Sequence, residues 1–189
     1  LNFEKLDYYK WAKEVFLCKK RCLLPPKISM KEENHIFFNV MPSIIKDLNV
    51  AGVKVVSRFP KRIPSLDSQI LLYDSKTGEN LALMDANIIT AYRTGAVASL
   101  AINTLAVKNY KIIAILGLGN MARATMNILL ETLGNRKITI KVFKYKSDAE
   151  DFVQYYSKYN SINFIIVDNY KDLIENSDVI ISGVTSTDI

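Results

Sequence analysis

Apolar residues recur along this chain with two different periods, and the change from one to the other divides it. In residues 7–22, Trp11, Val15, Cys18 and Cys22 are three or four positions apart with lysine and glutamate between them, which predicts an amphipathic helix that Pro25-Pro26 ends. Short apolar runs at 27–30 and 36–40 read as strands. Residues 51–59, AGVKVVSRF, alternate so that Lys54 and Val56 share one strand face. Past Pro60 and Pro64, runs at 69–74 and 79–85 flank Ser75-Lys76-Thr77-Gly78, which signals a hairpin. Asp85 can cap a helix expected from about residue 87 to 106, burying Ile89, Val97, Leu100 and Leu105.

From Lys108 onward strand and helix alternate regularly. Strands are expected at 111–116, 137–143, 162–167 and 178–182. Between them come a helix at 120–133 closed by Gly134, a helix at 147–159 opened by the capping box Ser147-x-x-Glu150, and a short helix at 171–176. Such alternation means parallel strands joined by helical crossovers. The expected fold class is therefore α/β: an N-terminal α+β region, 1–107, then a Rossmann-type doubly wound region, 108–189, with the boundary near 107–109. The sheet stops at its fourth strand and the chain begins with Leu1, so a missing start and a truncated C-terminal end are expected.

Composition narrows the function. With 49% apolar and 23% charged residues over 189 positions, the chain is that of a packed protein. Its net charge of +6 comes from scattered lysines, a weak general attraction for anions. No basic helix, zinc spacing or aromatic RNA-binding signature is present, so nucleic acid is not an expected partner. The longest apolar stretch, 96–107, is short and broken by Asn103, so no membrane is expected either. Cys18 and Cys22 lie four apart with His35 the only histidine, which argues against zinc and for reduced, packed thiols in a cytoplasmic protein.

One motif carries chemistry. Gly117-Leu118-Gly119-Asn120-Met121-Ala122 is a G-x-G-x-x-A between a predicted strand and a predicted helix, the context of a dinucleotide fingerprint. Gly117 would allow the tight turn, Gly119 the approach of a pyrophosphate, and Ala122 close helix packing; the helix N-terminus would supply amides to the phosphates. The alternative is a turn needed only by packing. An acidic residue for the ribose of NAD is expected about twenty residues on. The sequence there reads KVFKYKSD, with Lys144 and Lys146 and no carboxylate before Asp148, which favours NADP over NAD.

Several stretches together resemble the ornithine cyclodeaminase and mu-crystallin family: PPKISM, NVMPS, AGVKVVSRFP, SQILLYD, LMDANIITAYRTGAVASLA and ILGLGNMARA, in that order. The resemblance spans essentially the whole chain, and LMDANIITAYRTGA is its most specific part. It implies a nicotinamide-dependent enzyme that moves a hydride at the α carbon of an amino acid or its imine. Ornithine cyclodeamination to proline and ammonia is the type reaction; a ketimine reductase, an amino-acid dehydrogenase or a non-catalytic small-ligand binder are the alternatives.

Residue by residue, the resemblance implies that Lys54 touches the substrate carboxylate and polarises the reacting centre. It implies that Arg93 clamps that carboxylate and that Lys27 is a third cation there. Thr94, the glycine turn (Gly117, Leu118, Gly119, Asn120, Met121), Val184 and Thr185 would meet the cofactor. It also implies a homodimer joined through the substrate-binding and oligomerisation region, 1–107. A planar guanidinium can grip both carboxylate oxygens while lysine adds a point charge, and the α carbon must lie about 3–3.5 Å from the nicotinamide. Read without the resemblance, a strand lysine is most often a solvated edge charge. Two departures stand out: Asn39 occupies the place of the glutamate that holds ornithine's side-chain amine, and the family's catalytic aspartate would fall beyond residue 189.

Overall fold

The structure, a computed structural model, describes residues 6–145 and 147–184. It divides into two compact units, Leu1–Thr90 and Ala91–Ile189. The division falls inside a long helix and not at 107–109. The physical reason is that the helix changes partners: its first turn bonds to the sheet of the first unit, and Ser99 and Asn103 bond to a helix of the second.

In the first unit, α1 (Tyr8–Cys18) is capped by Asp7, whose carboxylate accepts the Lys10 amide. The helix stops earlier than its apolar spacing predicts. One 3-10 turn follows, and Cys22 is already extended in β1 (Cys22–Leu23), because it pairs there with Ile45 across the sheet. Both thiols are free, with their sulfurs 3.8 Å apart.

The sheet continues through β2 (Ile28–Lys31), β3 (Phe37–Ile45), β4 (Val50–Arg58), β5 (Leu66–Asp74) and β6 (Asn80–Asp85), all antiparallel in the order β1-β3-β4-β5-β6. β2 shares the outer edge of β3 with β1. That arrangement explains why β3 runs straight through Pro42, where a break was expected at residue 40. β2 pairs Phe37 to Val40 and β1 pairs Ile44 and Ile45, so the edge beside Pro42 is interrupted and its missing N–H leaves no ladder bond unmade.

Directly paired residues of antiparallel strands share a face. Lys54 therefore stands with Met41 and Ile70, and the next row on that face holds Ser29, Asn39, Val56 and Ser68. The opposite face carries Ser57, Asp67, Gln69 and Asp85 toward one end and is apolar toward the other. Leu23, Pro42, Ile44, Ala51, Val53 and Tyr73 line a groove of about 370 Å³ there, and Ile28, Met30 and Leu83 are exposed beside it.

Helix α2 (Asn87–Leu105) leads into the second unit: β7 (Ile112–Leu116), α3 (Asn120–Leu133), β8 (Ile138–Phe143), α4 (Asp148–Tyr156), β9 (Ile162–Val167), α5 (Tyr170–Ile174) and β10 (Val179–Ser182). The strands are all parallel in the order β10-β7-β8-β9. Ile113, Ile115, Ile140 and Val142 are fully buried against Met126 and Leu129 of α3 and Phe152 of α4. The Tyr156 hydroxyl donates within this layer, 2.8 Å from Asn127 Oδ1, and burial raises its pKa above the ordinary tyrosine value. Asn127 in turn donates to the Tyr92 hydroxyl of α2.

The capping box does not form. Ser147 sits at the N-cap of α4 with a helical backbone (φ −90°, ψ 0°) and makes no side-chain cap bond, and Glu150, the other half of the box, pairs with Lys144. At the crossing of α2 and α3 the backbones touch: a Cβ on Gly95 would lie 2.6 Å from Ala124 C and Thr125 N. No helix among the described residues is long and apolar enough to cross a membrane.

Candidate functional site

β7 delivers the chain into Gly117, whose φ of +86° is one that L side chains rarely adopt. A Cβ there would also stand 2.9 Å from the carbonyl of Gly183 and 3.1 Å from Val184 Cγ1. The Gly183 amide donates to the Leu116 carbonyl at 2.8 Å, tying the carboxyl ends of β7 and β10 together. Between these two strands the order of the sheet reverses, with β8 and β9 built out on one side of β7 and β10 on the other. Open parallel sheets bind ligands at such a reversal.

Gly119 is different. It is the N-cap of α3 in ordinary extended conformation, and a Cβ on it would meet nothing within 4 Å. Packing does not demand a glycine there, but an approaching diphosphate would, since a side chain would fill the space in front of the first-turn amides of α3. The turn therefore fits a dinucleotide. Leu118 is buried in the core, so only its backbone can meet a ligand; Asn120 is exposed and Met121 half-buried. Val184 lies against the turn, while Thr185 falls outside the described residues.

Lys144 follows β8, its amide donating to the Val167 carbonyl. Its ammonium is 3.5 Å from Glu150 Oε1, both half exposed, so the cation expected at this strand end has a carboxylate beside it. Lys146 falls outside the described residues.

In the first unit Lys54 is half-buried at the centre of β4, with Nζ 3.5 Å from Thr90 Oγ1. Thr90 and Ser68 are buried and their hydroxyls are 3.0 Å apart; Asn87 Oδ1 accepts from both the amide and the hydroxyl of Ser68. One strand over, the Ser29 hydroxyl donates to Asn39 Oδ1 at 2.6 Å. Lys27 is exposed one residue before β2. Arg93 and Thr94 belong to the second unit, on α2; partial burial lowers the Arg93 guanidinium from its ordinary value. Among the described residues no carboxylate pairs with Lys27 or Arg93. The structure thus gathers Lys54 with Asn39 on one face, and Gly117, Gly119 and Val184 around one turn.

Ser29, Ser68, Asn87 and Thr90 were not foreseen from the sequence. Their partners are 10 to 36 positions away, and the one local sign was that all four lie within stretches that carry the resemblance: Ser29 in PPKISM, Ser68 in SQILLYD, and Asn87 and Thr90 in LMDANIITAYRTGA.

The chain is similar to known proteins over most of its length. The model of the ornithine cyclodeaminase/mu-crystallin family matches residues 8–189. A Delta(1)-pyrroline-2-carboxylate reductase of Bacillus cereus is 29% identical over 186 residues, covering 95% of this chain and 56% of the relative. Ketimine reductase mu-crystallin of Rattus norvegicus is 27% identical over 80% of this chain and 48% of its own length. Among solved structures, Thermococcus litoralis Delta(1)-pyrroline-2-carboxylate reductase in complex with NADH and L-proline superposes with a TM-score of 0.83 at 30% identity, over 98% of this chain and 59% of that one. The chain thus spans about half to three-fifths of the length of these reductases.

The two glycines of the turn should behave differently. Gly117→Ala combines left-handed strain of about 1–3 kcal/mol with the contact on Gly183, and should lower the thermal unfolding midpoint by several degrees. Gly119→Ala should leave that midpoint unchanged. Equal loss of stability in both, followed by circular dichroism, would contradict the assignment of one to packing and the other to ligand approach.

Proposed function

The chain belongs to the ornithine cyclodeaminase/mu-crystallin family, and from that premise we propose that the whole protein is a nicotinamide-dependent reductase of α-imino acids, cyclic ones such as Δ1-pyrroline-2-carboxylate first among them. The observation that carries this reading is the neutral amide of Asn39 on the sheet face that carries Lys54. A diamine substrate needs a carboxylate for its second ammonium, and desolvating that charge against an amide alone is costly. A cyclic imine has no second amine. Its carboxylate needs cations, and its ring needs neutral or apolar neighbours such as Met41, Val56 and Ile70. Similarity to the two pyrroline-2-carboxylate reductases supports the same choice.

In this reading Lys54 supplies a point charge to the substrate carboxylate, Arg93 grips it through paired N–H donors, and Lys27 adds a third positive charge. The open space before Gly119 admits the diphosphate of NADP or NAD, and the amides of the Gly117–Met121 turn hold it. When bound, a reduced nicotinamide would supply the hydride for the carbon of the imine in its N-protonated form, which gives the secondary amine and oxidised nicotinamide. Asn39 donates through its amide to the ring side of the substrate, oriented by Ser29. The dinucleotide region is 108–189 and the substrate region 1–107, with α2 contributing Arg93 and Thr94. Lys144 inclines the site to a 2′-phosphate, and Glu150 beside it weakens that inclination.

The apolar sheet face is proposed as the seat of a second copy of this chain. Ile28, Met30 and Leu83 are each more than half exposed there, and an isologous contact would remove such residues from water at about 25 cal/mol per Å².

The direct test is an assay of the full-length protein with NADH and NADPH against Δ1-pyrroline-2-carboxylate and against ornithine. Oxidation of reduced cofactor with the imine supports the reading; turnover of ornithine with none of the imine sinks it. A tenfold preference for NADPH would show Lys144 free to act, and a tenfold preference for NADH would show it neutralised by Glu150. Arg93→Ala should raise the KM for the imine at least tenfold, about the worth of one charged hydrogen bond, with the Kd for NADH nearly unchanged; equal loss of both contradicts the clamp. Leu83→Lys should convert a sedimenting dimer to a monomer, and a wild-type protein that sediments as one copy rules the second copy out.

A further inference from the structure

Lys54 is the end of a chain of hydrogen bonds whose direction can be worked out from one end to the other. The backbone amide of Ser68 is a donor and nothing else, so the Asn87 side-chain atom 2.8 Å from it is the oxygen. The Asn87 amide nitrogen must then face the other way, where Asp67 Oδ1 accepts it at 3.0 Å. This fixes an amide orientation that geometry alone leaves ambiguous. The same Asn87 oxygen takes the hydroxyl proton of Ser68 at 3.1 Å. With its proton committed, Ser68 Oγ can only accept, so the hydroxyl 3.0 Å away on Thr90 donates to it. Thr90 Oγ1 consequently turns lone pairs, not a proton, toward Lys54 Nζ. Each donor points from the lysine toward Asp67, whose other oxygen lies 3.5 Å from Arg62 at the surface.

We propose that Thr90 is a positioning residue for Lys54: the one-way chain through Ser68, Asn87 and Asp67 holds the Thr90 oxygen as an acceptor that aims the ammonium across its sheet face. This rests on the role given to Lys54 above and adds how that role is set. Ser68 is 3% exposed and Thr90 9% exposed, so their hydroxyls meet away from bulk water. The Lys54 contact itself is long at 3.5 Å, as catalytic hydrogen bonds often are before substrate draws them in. A lysine on four methylene groups has many rotamers, and an acceptor that never presents a proton selects those directed at it.

Four variants of the full-length protein test this, each assayed for imine reduction, NADH binding and thermal unfolding. Thr90→Val should raise the KM for the imine about tenfold, the cost of one hydrogen bond to a charged group, with the Kd for NADH unchanged and kcat reduced less than threefold. Thr90→Ser should restore the wild-type KM. Ser68→Ala does not touch Lys54, yet it releases the Thr90 proton and should raise KM in the same direction. In a Lys54→Met background neither Thr90→Val nor Ser68→Ala should have any further effect. If Lys54→Met lowers kcat/KM but the Thr90 and Ser68 changes leave KM alone, or add to it in that background, the positioning role is wrong while the role of Lys54 stands. If Lys54→Met itself leaves kcat/KM unchanged, the role of Lys54 fails and the positioning role with it. Should Thr90→Val not fold, the Ser68→Ala and Thr90→Ser pair decides alone.

Discussion

Two helices of the second unit meet backbone to backbone at Gly95, and that approach sets where α2 can lie. A hydrogen in place of a side chain lets the carbonyl of Ala124 and the amide of Thr125 occupy space that any Cβ would need. Ser99 then donates to the Thr125 carbonyl, and Tyr92 receives a bond from Asn127, so the contact is polar as well as close. The residues just before Gly95 are the ones for which function is proposed. Arg93 and Thr94 are carried on a helix that at Gly95 approaches α3 too closely for any Cβ, and α3 is the helix that the glycine turn opens.

What was readable in the sequence follows the range of the forces involved. The bounds of α3 and β9 are those that periodicity and the glycines at 119 and 134 predict, because start signal, stop signal and apolar face all lie inside the element. The glycine turn was readable for the same reason: a steric requirement confined to a few residues leaves its mark in those residues. Cys22, Pro42 and Ser147 went otherwise, and for the first two a distant partner decided. Ile45 drew Cys22 into a strand, an interruption in the neighbouring edge made room for Pro42, and Ser147 is helical while Glu150 pairs with Lys144.

The candidate residues of the two units divide along the same line. Lys54, Arg93, Lys27 and the turn were named from residue type and spacing, and the alternation of β4 placed Lys54 and Val56 together, as the register shows. Asn39 was named through the resemblance, but Ser29, Ser68, Asn87 and Thr90 were not, since serine, threonine and asparagine are common and carry no period. Only pairing across three strands and the first turn of α2 brings Asn39, Ser68 and Thr90 to one place. The division of the chain is a further case: residues 107–109 look like a boundary in composition, but the helix before them had already changed partners by Ala91.

The two candidate clusters, one in each unit, are consequently built on opposite physical footings. Around Gly117 and Gly119 the chain works by omission, leaving out side chains so that a backbone can turn and, in the proposed reading, a diphosphate can come near. Around Lys54 it works by saturation: buried hydroxyls and an amide are joined in one network whose Thr90 oxygen faces the cation. An omission tolerates change in everything except the omitted group. A saturated network tolerates almost none, because losing any member leaves a buried donor or acceptor unmet and reverses the hydrogen bonds beyond it. Substitutions in the turn should therefore act one at a time, whereas those on the sheet face should act as a set, with the small hydroxyl residues as consequential as the lysine they surround.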